Sequence, residues 1–265
     1  MAVPAFWATP FSYQELQAVT DVATVITALN AQLLALGWTD QSGTGAGPWK
    51  TPARADGVFF RIGAVRTSAT RITWTMYDQA GLLVMGSGTA DLQDIEATGC
   101  PVQIYAGTLH LAVNSQRATP EAAWFCVLDQ TPDVINIPRA VYMCTQGPRT
   151  SDGTLRNYTW GSQCYSMPPG STSYASQGPN GFANAPAGAC YRKTAAGTAL
   201  ITSPGFGDYS KPVFWGRIPQ CIAIDQTGLS FGSEVTAPID AGVNAVFKVI
   251  GVPASFYQYI AFRKS

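Results

Sequence analysis

Most hydrophobic runs in this chain alternate apolar and polar residues with a period of two, and a single run carries a helical period. Arg71-Ile72-Thr73-Trp74-Thr75-Met76-Tyr77 alternates cleanly. Asp78-Gln79-Ala80-Gly81 then turns it back into Leu82-Leu83-Val84-Met85, which predicts a hairpin. Further strands are expected at Val58–Gly63, Val102–Tyr105, Thr108–Val113, Ala123–Leu128 and Ala140–Cys144. Towards the C-terminus they are expected at Val213–Arg217, Cys221–Ile224, Ala245–Ile250 and Tyr257–Phe262, the last two joined by a turn at Gly251–Ser255. Turn signals punctuate these runs about every 10–15 residues, the rhythm of an antiparallel sandwich or barrel rather than of alternating strands and helices.

The helical run comes first. Ser12 and Glu15 have the spacing of a capping box, in which each side chain satisfies an orphan backbone N–H. Leu16, Val19, Val22, Ile26, Leu29, Leu33 and Leu36 follow in steps of three and four, and Gly37 is the natural stop. The expectation is one helix of about 24 residues, roughly 36 Å long. Its stripe suits either the chain's own sheet or a coiled coil between subunits. The expected organisation is an N-terminal arm and amphipathic helix over 1–45, then a β-rich domain over 46–265. The segment 40–56 reads as a turn-rich linker.

Charge narrows the function. Sixteen basic residues balance sixteen acidic ones, and charged residues make up 12% of the 265, against roughly 25% in an average soluble domain. Nucleic-acid binding through a basic surface is disfavoured, because neutralising phosphates needs clustered Lys and Arg. A neutral, charge-poor surface favours association, so coverage by other subunits is expected. No stretch reaches the 18 or so apolar residues of a spanning helix, and the N-terminus lacks the basic and apolar regions of a signal peptide. The expectation is a soluble chain with no membrane insertion.

Chemistry-bearing residues are sparse. The one histidine, His110, lies in an alternating run and reads as a strand residue. A nucleophile elbow, a phosphate-binding loop and a calcium-loop pattern are all missing from the sequence. Asp91, Asp94 and Glu96 cluster without the setting of a catalytic pair. No cofactor or metal is expected, and no catalytic residue. The six cysteines, at 100, 126, 144, 164, 190 and 221, have no metal-site spacing and read as buried thiols. If a disulfide forms, Cys164–Cys190 is expected, since it brackets the segment poorest in regular pattern. Closing about 27 residues would remove chain entropy equal to roughly 3.6 kcal/mol.

That segment, 147–190, is rich in Gly, Pro, Ser, Asn and Tyr. It reads as a long surface loop inserted in the β domain, with the composition of adaptable contact loops. The arm Phe6-Trp7-Ala8-Thr9-Pro10-Phe11 holds three aromatics, which must dock on the chain itself or on a neighbour. The candidate interface residues are Phe6, Trp7 and Phe11 of the arm, Val19, Ile26 and Leu33 of the stripe, and Trp160, Tyr165 and Tyr174 of the loop.

A resemblance joins these readings. The helix ending in Leu36-Gly37-Trp38-Thr39, Gly57-Val58-Phe59-Phe60-Arg61-Ile62-Gly63, and the hairpin at Trp74-Thr75-Met76-Tyr77 contribute to it. So do the run Leu109–Arg117 and the ending Phe256–Lys264. Over about half its length the chain resembles tailed-bacteriophage virion proteins of the tail, neck or baseplate. The resemblance implies a non-enzymatic structural subunit, present in many copies as a homo-oligomer. Its partners would be copies of itself and other virion proteins, and it would be made in the host bacterial cytoplasm and end in the virion. The competing expectations are a host-surface or carbohydrate-binding adhesion module, with Trp160, Tyr165 and Tyr174 stacking on sugars, and an enzyme cutting cell-wall glycan through scattered acids.

Overall fold

A computed structural model describes residues 5–40, 49–50, 61–77, 84–91, 99–108, 110–115, 124–129, 140–146, 163–166, 175–176, 200–202, 205–208, 213–217, 220–225, 229, 232–251 and 258–265. These residues are mainly β, in antiparallel sheets, with one long helix and a single helical turn. The turn is α1 (Ala5–Ala8), and it is followed by β1 (Phe11–Val19) and the helix α2 (Val22–Ala35). Next come β2 (Thr39–Asp40), β3 (Trp49–Lys50), β4 (Arg61–Arg66), β5 (Arg71–Tyr77) and β6 (Val84–Asp91), which make one five-stranded sheet in chain order. β7 (Cys100–Gly107), β8 (His110–Ser115), β9 (Trp124–Asp129), β10 (Ala140–Gln146), β11 (Gln163–Ser166) and β12 (Ala175–Ser176) form a meander, and β1 adds to its β7 edge. β13 (Leu200–Thr202), β14 (Gly205–Asp208), β15 (Val213–Arg217), β16 (Cys221–Asp225), β17 (Glu234–Asp240), β18 (Val243–Gly251) and β19 (Gln258–Arg263) complete the chain. Of these, β14 and β15 pair alone, and the rest form a sheet in the order β13-β16-β19-β18-β17.

The hairpin expected at residues 71–85 is present as the β5–β6 pair, with β6 beginning at Val84. The expected runs around residues 102, 108, 123, 140, 213, 221, 245 and 257 are strands too, and β18 and β19 pair antiparallel as their turn required. Residues 58–60, 78–83 and 252–257 lie outside the described residues.

The 24-residue helix is corrected. Residues 11–19 are a strand, pairing with β7 from Phe11↔Gly107 to Leu16↔Val102 in unbroken register. Ser12 and Glu15 are therefore strand residues and form no capping box. The true cap is Asp21, whose Oδ1 accepts from the Ala23 N–H at 2.8 Å. The physical reason is that Phe11, Tyr13 and Val19 favour a pleated surface, and seven cross-strand partners outweigh the modest helical propensity of this stretch. A bulge between Leu16 and Val19, with Ala18 at φ +49°, ends the strand and lets the chain turn into α2.

The stop at Gly37 is as expected. Its φ is +86°, its N–H donates to the Leu34 carbonyl at 3.0 Å, and the Trp38 N–H donates to the Leu33 carbonyl at 2.9 Å. These are the two bonds of a Schellman ending. Val22, Val25, Leu29 and Leu33 of α2 are fully buried and share a core with Val102, Ile104 and Ala106 of β7 and Leu111 and Val113 of β8. Each such side chain contributes roughly 1.5–3 kcal/mol by leaving water. The even-numbered residues of β7 face this helix, so Gln103 and Tyr105 lie on the opposite face of the sheet.

Most of the expected long loop, 147–190, lies outside the described residues. Within 147–190 the described residues are strands β11 and β12, which extend the meander beyond β10. Strand β17 is a further departure. Pro238 and the charges at its ends mask the pattern, and it holds as the edge strand of its sheet, where a proline is tolerated.

Candidate functional site

The densest cluster of polar side chains among the described residues lies where the N-terminal arm and β1 meet the C-terminal sheet. Lys248 of β18 is buried, and its Nζ donates to the Glu15 carboxylate and to the Tyr13 hydroxyl, the latter at 3.3 Å. The Tyr13 hydroxyl donates to Glu15 Oε2, and Gln17 Nε2 donates to Oε1 at 2.8 Å. β1 places Tyr13, Glu15 and Gln17 on one face because they are spaced by two. Just outside, Lys264 pairs with Glu234 at 2.6 Å, and its Nζ lies 5.9 Å from the Tyr13 ring centroid.

The cluster's electrostatics follow from this geometry. Partial burial pushes the Glu15 carboxyl up. Hydrogen bonds from Lys248, Tyr13 and Gln17, together with the Lys248 charge, outweigh it and bring the group down to about 2. Burial, and then the hydrogen bond to Glu15, push the Tyr13 phenol far above its ordinary value. At neutral pH the cluster therefore holds a carboxylate and a protonated phenol, each committed to the other. Through Lys248 the pair ties β1 to β18, and it offers neither a general base nor a general acid poised near neutrality.

Below the cluster, aromatic rings run from one sheet to the other. Tyr13 and Tyr105 have centroids 5.1 Å apart, and Tyr105 and Phe262 5.4 Å. Tyr105 is 1% exposed, its hydroxyl has no hydrogen-bond partner among the described residues, and burial holds the phenol well above its usual range. Cys221, also fully buried, has its thiol pushed up for the same reason.

The arm is held by three residues that the sequence did not single out. Gln220 has a left-handed backbone at φ +54°, and its Nε2 donates to the carbonyls of Trp7 at 3.0 Å and Thr9 at 2.9 Å. Arg263 Nη1 donates to the same Trp7 carbonyl at 3.2 Å, and its guanidinium lies 4.6 Å from the Phe11 ring centroid. The Trp7 indole is 6% exposed and meets Phe247 edge-on at 5.6 Å, within a core of Ile222, Ile224, Ala237 and Val249. A glutamine at φ > 0 is the sort of backbone outlier that marks such a clamp, but outside glycine a positive φ leaves no trace in sequence.

The expected interface residues are dispersed. Trp7, Val19 and Leu33 are buried within the chain's own cores, and Phe11 and Ile26 are half-buried. Phe6 lies in α1, and Tyr165 lies in β11 opposite Val141. Cys164 is in β11 opposite Tyr142, whereas Trp160, Tyr174 and Cys190 lie outside the described residues. His110 opens β8. Among the described residues no three His, Cys, Asp or Glu side chains gather as metal ligands, and no helix is long and apolar enough to cross a membrane. The chain matches no protein-family model and no curated protein.

Proposed function

We propose that the chain is a non-enzymatic structural subunit of a bacteriophage particle, assembling in many copies within the tail, neck or baseplate. The observation that carries this reading is the use of the polar cluster. Tyr13, Glu15, Lys248, Gln220 and Arg263 tie the first strand and arm to the last sheet through hydrogen bonds to one another and to backbone carbonyls. A subunit that must keep its shape under load gains from closing its two ends together. The low charge agrees: 12% charged residues and no net charge favour burial of large neutral patches in a closed, symmetric assembly. In this reading the β1–β7 meander and the C-terminal sheet stack as an antiparallel sandwich about the Tyr105–Phe262 contact. The partners are further copies and other virion proteins.

The test is the native mass of the purified protein, together with its presence in purified particles. A discrete oligomer that is also a particle component is expected. A monodisperse monomer at high concentration, absent from particles, would overturn the reading.

A further inference from the structure

Sheet register sets two cysteines of consecutive strands opposite each other. On β9 and β10 the partners run Gln146↔Trp124, Thr145↔Phe125, Cys144↔Cys126, Met143↔Val127 and Tyr142↔Leu128, without a bulge. Cys126 and Cys144 therefore occupy directly opposed positions. Opposed residues of antiparallel strands have Cα atoms roughly 4.5 or 5.5 Å apart, depending on the hydrogen-bonding class of the pair. Both separations fall within the roughly 4.4–6.8 Å that a disulfide spans.

The neighbouring candidates fit less well. Cys164 opposes Tyr142, which makes it a diagonal neighbour of Cys144. Diagonal neighbours are about 7–8 Å apart, beyond the roughly 7 Å at which a bridge forms without backbone movement. His110 opposes Leu128, so His110, Cys126, Cys144 and Cys164 fall on one face of four successive strands. Three strand spacings separate His110 from Cys164 by roughly 14 Å. That is too wide for one zinc ion with ligand bonds of about 2.0–2.3 Å. Cys100 and Cys221 are buried thiols outside any disulfide.

We propose that Cys126 and Cys144 are a redox site, a dithiol that closes into a cross-strand disulfide. The oxidant is a small disulfide such as oxidised glutathione. One cysteine thiolate attacks it, forming a mixed disulfide and releasing one glutathione thiol. The second cysteine attacks the protein-bound sulfur and releases the other. One S–S bond breaks, one forms, and the two hydrogens lost by the protein are gained by glutathione. The bridge joins β9 to β10 whether or not the chain is part of a particle. It shares no cysteine with the Cys164–Cys190 pairing expected from sequence, so the two bridges are independent.

The full chain is refolded from denaturant in a glutathione redox buffer, so that every thiol meets the oxidant. It is then alkylated and digested with trypsin. Cleavage after Arg117, Arg139 and Arg149 puts Cys126 and Cys144 on separate peptides. The expected product is peptide 118–139 linked to peptide 140–149, two hydrogens lighter than their sum, lost on reduction and absent from Cys144→Ser. Alkylation of both cysteines, or linkage of either to Cys164 or Cys190, overturns the proposal. If Cys144→Ser does not fold, the map of the unaltered chain decides alone.

Discussion

Glu15 and Lys248, 233 positions apart, form an ion pair that ties the first strand of the protein to its last sheet. Lys248 is 7% exposed, so its ammonium depends on this partner. Glu15→Gln leaves that charge in the interior without a counter-charge and should lower stability by about 3 kcal/mol at pH 7. Urea unfolding of the two proteins measures the difference, and equal midpoints would refute it.

The same pair sets an acid dependence. Glu15 sits at about 2 in the folded chain against an ordinary 4.5. A depressed folded value means that the unfolded chain binds the proton more readily. The stabilisation is therefore complete above about pH 4.5 and is lost as the pH falls towards 2. Unfolding free energies of the unaltered chain should drop across that window, and those of Glu15→Gln should drop less.

Tyr105 and Tyr13 make opposite predictions. The Tyr105 hydroxyl is buried without a partner among the described residues, so Tyr105→Phe removes a desolvated polar atom and should raise stability by about 1 kcal/mol. Tyr13→Phe breaks the bond to Glu15 and should lower it by a similar amount. Thermal unfolding distinguishes the two, and a destabilised Tyr105→Phe would show that its hydroxyl is used.

Gly99 and Gly242 both have φ near +75°. A Cβ at Gly99 would lie 2.7 Å from the Ala18 carbonyl carbon, in backbone that cannot yield, whereas at Gly242 nothing lies within 4 Å. Gly242→Ala should cost about 1 kcal/mol for the left-handed backbone alone. Gly99→Ala should cost more, about 3 kcal/mol, because the clash falls on the bulge that ends β1. Equal losses in denaturant would show that the bulge relaxes freely.

Trp7→Ala should cost about 3–5 kcal/mol, the price of emptying a core site. Deleting residues 1–11 should likewise lower the melting temperature, since the Trp7 and Thr9 carbonyls anchor Gln220 and Arg263. A shortened protein with unchanged melting would show that the arm does not hold the fold together.

Local pattern was enough for the β class, for most strand positions, for the 71–85 hairpin and for the helix stop at Gly37. In each case the determinant is a side-chain period or a single backbone preference carried by adjacent residues. Residues 11–19 were not readable in that way. Leu16 and Val19 continue the stripe of α2 at helical spacing, and only pairing with β7, some 90 positions away, decides that they form a strand. The helix begins instead at Asp21, whose carboxylate also receives a bidentate pair from Arg66 that no local pattern announces. The polar seam was hidden for the same reason. Glu15 looked like half of a capping box, and neither Lys248 nor Gln220 carried a signal of its own, because the partner of each lies more than 200 positions away. Periodicity records which side of an element is apolar. It does not record which element arrives to cover that side, and that choice, made by register and packing across the whole chain, is what sets Glu15 on Lys248 and Cys126 opposite Cys144.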